Sequence, residues 1–378
     1  MDLWHLLEKL GAAARIHDDA AGASAWTPHT VQEHVTRIAT EAGVRAAPAQ
    51  LREFIALASD LATSDCFSIL PPGTATPEHV AHLTSVGVVA AETALRDQLT
   101  AATPRREPKP ADVTEAARTA GLDAGQTVAA AAVASTDPLV IVEGAAGAGK
   151  TTMLGVAIEV AADRGRASRV VAPTLRAAQV AHDELGVPAT SVAALVFAHG
   201  WRWNEDGVWA RLTRGDTDPE TGRTFTGPPR EARLSRGERV IVDEAGMLDQ
   251  DTAHALLTVT AEAGATVALV GDRAQLPAVG RGGVLDMATQ IRGRTYDMTE
   301  LHRFTDAEYA ALTLAMRDPA ATRLEQEAAR LTALLESARA EARASGLQGR
   351  WEPRGSTADA PGFRFLGFPD TTPRPTNW

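Results

Sequence analysis

The sequence predicts an α/β protein: a parallel sheet with helices on both faces, a small β insertion, and a mainly helical domain in front. Two observations carry this. Four apolar runs of strand length, at 139–142, 169–172, 239–242 and 266–270, alternate with amphipathic helical stretches. None of the runs shows the apolar–polar alternation of a strand with one wet face, so the sheet is expected to be covered on both sides.

The elements follow in order. Residues 1–102 form the helical domain: 30–42 and 47–62 carry apolar side chains at helical spacing (Val31, Val35, Ile38; Leu51, Phe54, Ile55, Ala58, Leu61). Pro71-Pro72-Gly73 breaks the chain, and a further helix is expected over 90–99. Residues 103–113 read as a linker, because TPRREPKP is poor in apolar side chains and rich in proline and charge. The sheet domain occupies 114–319. Within it 201–237 is the β insertion, with Asp206-Gly207 as a hairpin turn. Leu324, Ala328, Leu331, Leu335, Ala338 and Ala342 give 320–345 one narrow apolar seam, suited to a partner chain or a second copy. Residues 346–378, rich in proline, glycine and polar side chains, are expected to be disordered. No internal repeat is present.

Composition narrows the function. With 44% hydrophobic and 22% charged residues the chain is globular. A net charge of −11 excludes a protein basic over its whole surface, yet leaves room for a local positive groove. Cys66 is the single cysteine, so no intramolecular disulfide is possible and a reducing cytoplasm is the expected location. Residues 1–10 lack the basic-then-apolar order of a signal peptide, and no uncharged apolar run is long enough to span a membrane. Of 37 Lys and Arg residues only Lys9, Lys109 and Lys150 are lysine, so a lysine inside a glycine-rich loop points to its own chemistry.

That loop is Gly144-Ala145-Ala146-Gly147-Ala148-Gly149-Lys150-Thr151, the pattern G-x-x-x-x-G-K-[ST], with an expected strand before it and a helix after it. Glycines let successive backbone N–H groups turn inward around phosphate oxygens, and the helix N-terminus adds positive potential. Lys150 would reach the β- and γ-phosphates and the Thr151 hydroxyl would ligate Mg²⁺, so ATP with Mg²⁺ is the expected ligand. Asp243 and Glu244 end the third apolar run, where Asp243 would hold Mg²⁺ through water and Glu244 would polarise the attacking water. The bland reading is a helix N-cap and a solvated neighbour. Gln275, in VGDRAQLP after the fourth run, is either a γ-phosphate sensor or part of a polar loop. Arg303, in ELHRF, is either a transition-state cation or half of a surface ion pair. Gln126 either binds an adenine edge or is a solvated helix residue. Trp201, Trp203 and Trp209, among arginines, either stack on bases or pack one face of a hairpin.

In this order, Gln126, GAAGAGKT, APTLRAAQ (172–179), VDEAGM (242–247), GDRAQLPAVG (271–280) and ELHRF (300–304) resemble the first motor domain of a RecD-like superfamily 1 DNA helicase. The nearest likeness is to the helicase part of MobF (TraA/TrwC-type) conjugative relaxases, and HVAHLTSVGVV (79–89) is similar to the segment ahead of their motor. The resemblance covers roughly residues 25–317. It implies a RecA-like fold, ATP hydrolysis with Mg²⁺ and single-stranded DNA as partner. Gln126 would read adenine, the loop from Gly144 through Thr152 would hold the phosphates, and Asp243 and Glu244 would form the Walker B pair. Gln275 would couple the γ-phosphate to DNA, with Arg303 as arginine finger. Pro173 and Thr174 would lie along the DNA, and 201–237 would be the small β subdomain of such helicases.

The chain also departs from that pattern. After Arg303 it reads as one helix and a tail rather than a second motor domain, and no clustered histidines with a nearby tyrosine mark a relaxase domain. The expectation is a DNA-dependent ATPase of helicase type, truncated and unable to unwind alone. The alternative is a non-catalytic nucleotide- or DNA-binding accessory protein that acts with another chain through Leu324, Leu331 and Leu335. A kinase or GTPase is the weaker reading, since no Asn-Lys-x-Asp guanine signature is present.

Overall fold

The computed structural model describes residues 23–300 except 75, 77, 78, 146, 204–208, 276, 277 and 279, and beyond these Thr332 and the backbone of 351–353 and 363–365. The chain divides into two compact units, Met1–Arg303 and Phe304–Trp378. Ala146, Arg303 and the helix expected over 320–345 (Thr332 apart) lie outside the described residues.

The first unit opens with α1 (Pro28–Glu41) and α2 (Pro48–Ser64), each begun by a proline whose fixed φ suits a first helical turn. Strands β1 (Phe67–Ser68) and β2 (Leu83–Thr84) pair antiparallel, and α3 (Val86–Ala102) follows, its first turn capped by the Ser85 hydroxyl. Trp26, Val31, Val35, Ala58, Ala62, Leu83 and Val88 make a small core of their own.

Next come α4 (Thr114–Ala120), α5 (Ala124–Val133), β3 (Leu139–Gly144), α6 (Lys150–Asp163), β4 (Ser168–Ala172), α7 (Leu175–Leu185), β5 (Ala189–Ser191) and α8 (Val192–Ala198). The insertion strands β6 (Trp201–Trp203) and β7 (Trp209–Arg211) lead to β8 (Arg239–Val242), α9 (Gln250–Ala263), β9 (Thr266–Gly271), α10 (Val284–Arg292) and β10 (Tyr296–Met298). Six strands form one sheet in the order β10-β3-β9-β8-β4-β5, and every pairing is parallel. Alternate side chains of each strand serve opposite faces. Val140, Val142, Val170, Ile241, Ala268 and Val270 pack under α4 to α7, whereas Leu139, Ile141, Val171, Val240, Val242 and Leu269 pack under α3, α8, α9 and α10. The parallel sheet covered on both faces is therefore as the sequence predicts. The edge strands β5 and β10 go beyond the expectation: Ala-Thr-Ser and Tyr-Asp-Met are too short and mixed to show a periodic signal.

Two features complete the picture of this unit. Leu95 and Leu99 of α3, fully buried, belong to the sheet's core, although the break in composition at the linker comes only after that helix. Gln98 fixes the contact: its Nε2 donates to Thr258 Oγ1 at 2.8 Å, and its Oε1 lies 2.9 Å from His254 Nδ1. In the insertion, β6 and β7 pair antiparallel with Trp203 opposite Trp209, while the expected turn Asp206-Gly207 falls outside the described residues. In the second unit the described backbone pairs β11 (Trp351–Pro353) with β12 (Phe363–Phe365) antiparallel, inside the stretch whose composition suggests disorder.

Candidate nucleotide-binding site

Three loops leave the C-terminal ends of β3, β8 and β9. These strands are neighbours in the centre of the sheet, the end at which open parallel sheets bind ligands. The β3 loop is the glycine-rich one. Gly147 and Gly149 adopt φ of 86° and 75°, the left-handed region that a Cβ disfavours, and this lets the loop curl back on itself. Ala145 and Ala148 are buried inside the curl, and Ala148 N donates to Ala145 O at 3.1 Å. Gly149 then opens α6 without any side-chain cap and without an acidic residue in the first turn, so no carboxylate of that turn offsets the positive end of the helix. Lys150 Nζ donates to Gly144 O at 3.0 Å, and Thr151 and Thr152 stand exposed on the first turn.

The β8 loop carries the acids. Asp243 N donates to Val171 O at 2.9 Å, which extends the β8–β4 pairing by one residue. Burial, and after it the Glu244 carboxylate, push the Asp243 pKa above its ordinary value, while Lys150 opposes them. Glu244 is the one described non-glycine residue with positive φ, at 55°. Its N–H donates to Asp243 Oδ1 at 3.0 Å and its carbonyl accepts from Met247 N at 3.0 Å. Neither acid caps α9; Asp249 does, with its carboxylate on Thr252 N. Glu244 stands at the N-cap position of the 3-10 turn Ala245–Met247, but its side chain makes no capping bond there.

The β9 loop begins with Asp272, 3% exposed, whose Oδ1 accepts from Ala274 N at 3.0 Å and whose Oδ2 lies 3.4 Å from Gln275 Nε2. This turn fixes where Gln275 starts. It also lies directly on the β8 loop: a Cβ on Gly246 would stand 2.7 Å from Asp272 O, and one on Gly271 would stand 2.9 Å from Gly246 N. Backbone touches backbone there, so the segments that carry Glu244 and Gln275 are packed directly together.

Other expected residues are placed differently. Gln126 is 3% exposed and both ends of its amide are engaged: Oε1 accepts from Asp123 N at 2.9 Å, and Nε2 donates to Ala148 O at 3.0 Å. It props the glycine-rich loop from behind, the second half of a capping box that D-x-x-Q at 123–126 spells out. Thr174 caps α7, its hydroxyl accepting from Ala177 N at 3.1 Å, with Pro173 half-buried beside it. Trp203 and Trp209 stack at 4.8 Å, Trp201 meets Trp209 and His254 edge-on, and all three tryptophans pack against the sheet's core. Sequence reasoning passes over Glu143, Asp272 and Arg273. A charged residue at the end of an otherwise apolar strand is the signal that could have found the first.

A glycine-rich loop, its lysine and an acid pair on neighbouring strand ends define a P-loop NTPase of RecA-like fold. The chain belongs to the AAA domain family, which matches residues 121–337, more than half its length. Among solved structures it is similar to the complex of Arterivirus nonstructural protein 10 (helicase) with DNA, at 18% identity and a TM-score of 0.28. That likeness covers 51% of this chain and 42% of the viral one, so the chain spans less than half of that relative's length. No curated protein matches the sequence.

Proposed function

We propose that this chain is a helicase-type motor domain that hydrolyses ATP with Mg²⁺ and engages single-stranded DNA. The observation that carries the reading is the convergence of Lys150, the Asp243–Glu244 pair and the Gln275 loop from three adjacent strand ends. The residues fit the ligand: positive-φ glycines, an uncapped helix N-terminus, one ammonium and the exposed Thr151 hydroxyl suit a phosphate chain and a hard cation. Lys150 and the N–H groups of the loop would bind the β- and γ-phosphates, and Thr151 with Asp243 would hold Mg²⁺. The cation supplies neutralisation of phosphate charge. Glu244 would take the proton of the attacking water, and Gln275 would orient that water without competing for the metal. Arg303 would complete the charge stabilisation as arginine finger.

DNA is the natural partner because a motif order of this kind belongs to motors on nucleic acid, with Pro173 and Thr174 as the first contacts to examine. Descent from a conjugative relaxase, and a role for 320–345 in joining a second chain, belong to the same reading. ATP turnover measured with and without single-stranded DNA tests it. Lys150→Ala should abolish nucleotide binding, and Glu244→Gln should bind ATP normally while turning it over about 10²–10⁴-fold more slowly. Absence of hydrolysis by the unaltered chain in every condition would leave a nucleotide-binding accessory protein instead.

A further inference from the structure

Arg273 stands two residues after β9 and two before Gln275. Its guanidinium holds the Glu143 carboxylate in a two-pronged contact, Nε to Oε1 at 2.5 Å and Nη2 to Oε2 at 2.6 Å. The remaining nitrogen, Nη1, donates to Asp286 Oδ1 at 2.9 Å in the first turn of α10. Three segments thus meet on one side chain: the last residue before Gly144, the loop of Gln275, and the helix to which that loop returns. Glu143 is placed to transmit position, because the carbonyl of the next residue, Gly144, accepts the Lys150 ammonium.

The Arg273 side chain is 40% exposed, and an ion pair open to solvent contributes little to stability. A planar fork on a carboxylate nevertheless sets distance and angle more tightly than any single bond, which a lysine cannot imitate. Its value therefore lies in geometry. Residues 272–283 connect β9 to α10, and Arg273 ties the start of this connection to the first turn of the helix. The Asp272 turn and the Gly246 contact also hold the start of this connection.

We infer that Arg273 is a positioning residue that clamps the Gln275 loop to the strand end preceding the P-loop, so that Gln275 moves with the phosphate-binding loop. The inference rests on the nucleotide-site reading above. It concerns how two parts of that site stay in register rather than either part's chemistry.

Hydrogen–deuterium exchange of the full chain, with Mg²⁺ and a non-hydrolysable ATP analogue, tests it. In the unaltered protein the analogue should slow exchange in peptides covering both 144–152 and 272–283. In Arg273→Gln the first protection should persist and the second should disappear, while kcat falls about tenfold and KM stays within about threefold, the signature of lost positioning rather than lost binding. Glu143→Gln removes the other half of the fork and should reproduce that split. Arg273→Lys, which keeps the charge and loses the fork, should restore less than half of the loop's protection. Equal loop protection in the unaltered chain and in both glutamine variants overturns the clamp and leaves the nucleotide site standing. Equal loss in both peptides means a merely structural role and overturns it too. No protection of 144–152 in the unaltered chain overturns the nucleotide-site reading itself, and the clamp with it.

Discussion

Glu244 holds the left-handed backbone conformation without being glycine, which costs about 1–3 kcal/mol and persists only where the surroundings enforce it. Here they do: Asp243 takes its N–H, Met247 donates to its carbonyl, and Gly246 behind it lies against Asp272. Its neighbour Asp243 bears a second cost, because burial and the Glu244 charge raise its pKa in the folded state. The sign follows from linkage. Below the unfolded carboxylate value both states are protonated and nothing is lost; as pH rises through that value and then the folded one, the folded state is penalised. Asp243→Asn should therefore raise the thermal midpoint at neutral pH, and the gain should shrink as pH falls toward the ordinary carboxylate range. Mg²⁺ with a nucleotide should raise the midpoint of the unaltered protein more than that of the variant, which thermal unfolding across pH measures directly. The sequence marks Lys150, Asp243 and Glu244 because motif and strand end coincide. It gives no sign of Glu244's strained backbone, nor that Gln126 would be spent on Asp123 and Ala148, since both depend on contacts that tertiary packing creates.

At the scale of elements, α10 is tied to both ends of β3. Its first turn reaches Glu143 through Arg273. From its last turn Arg292 donates to Asp137 Oδ2 at 2.8 Å, to Leu139 O at 3.2 Å, and to both oxygens of Glu107 at 2.8 and 3.0 Å. Asp137 is only 2% exposed, so Arg292→Met would strand a buried carboxylate and should cost about 3–5 kcal/mol in chemical denaturation. Adding Asp137→Asn should recover part of that loss, and a double-mutant cycle reads the coupling. Glu107, in the linker, is held down at about 2 by Arg292 and Arg294. A depressed carboxylate stabilises above its unfolded pKa and loses that contribution as pH falls through about 2, and because Glu107 is half-exposed the effect is small. Element type was legible where apolar runs were long, as in β3 and β9. Arg239, which begins the third run, is 1% exposed and donates to the carbonyls of Val133, Ser135 and Val267. Backbone acceptors at the end of a helix leave no trace in periodicity.

At the scale of the whole first unit, composition and packing divide the chain at different places. Proline and charge at 103–110 mark a linker, but α3 ahead of it contributes Val88 to the small N-terminal core and Leu95 and Leu99 to the sheet's core. A linker is read from what a stretch lacks, whereas a core is settled by which apolar face meets which, and only the first is visible in order along the chain. Leu95→Ala or Leu99→Ala should lower the stability of the sheet domain by about 2–5 kcal/mol, seen as an earlier thermal transition monitored at the tryptophans near α9. A fragment that starts after residue 103 should expose that apolar seam and aggregate, while one that starts before Val86 should stay in solution.

The scarcity of lysine has a practical consequence for the chemist. Among side chains, an amine-acylating reagent meets only Lys9, Lys109 and Lys150. Lys109 is exposed, whereas Lys150 is half-buried with its ammonium on a carbonyl, and acylation requires the free electron pair of the neutral amine. Lys109 should therefore label quickly and serve as an internal clock, with Lys150 slower and slower still once ATP is added. The ratio of two mass shifts within one molecule then becomes a titration of the phosphate loop that needs no mutation, no fluorophore and no turnover.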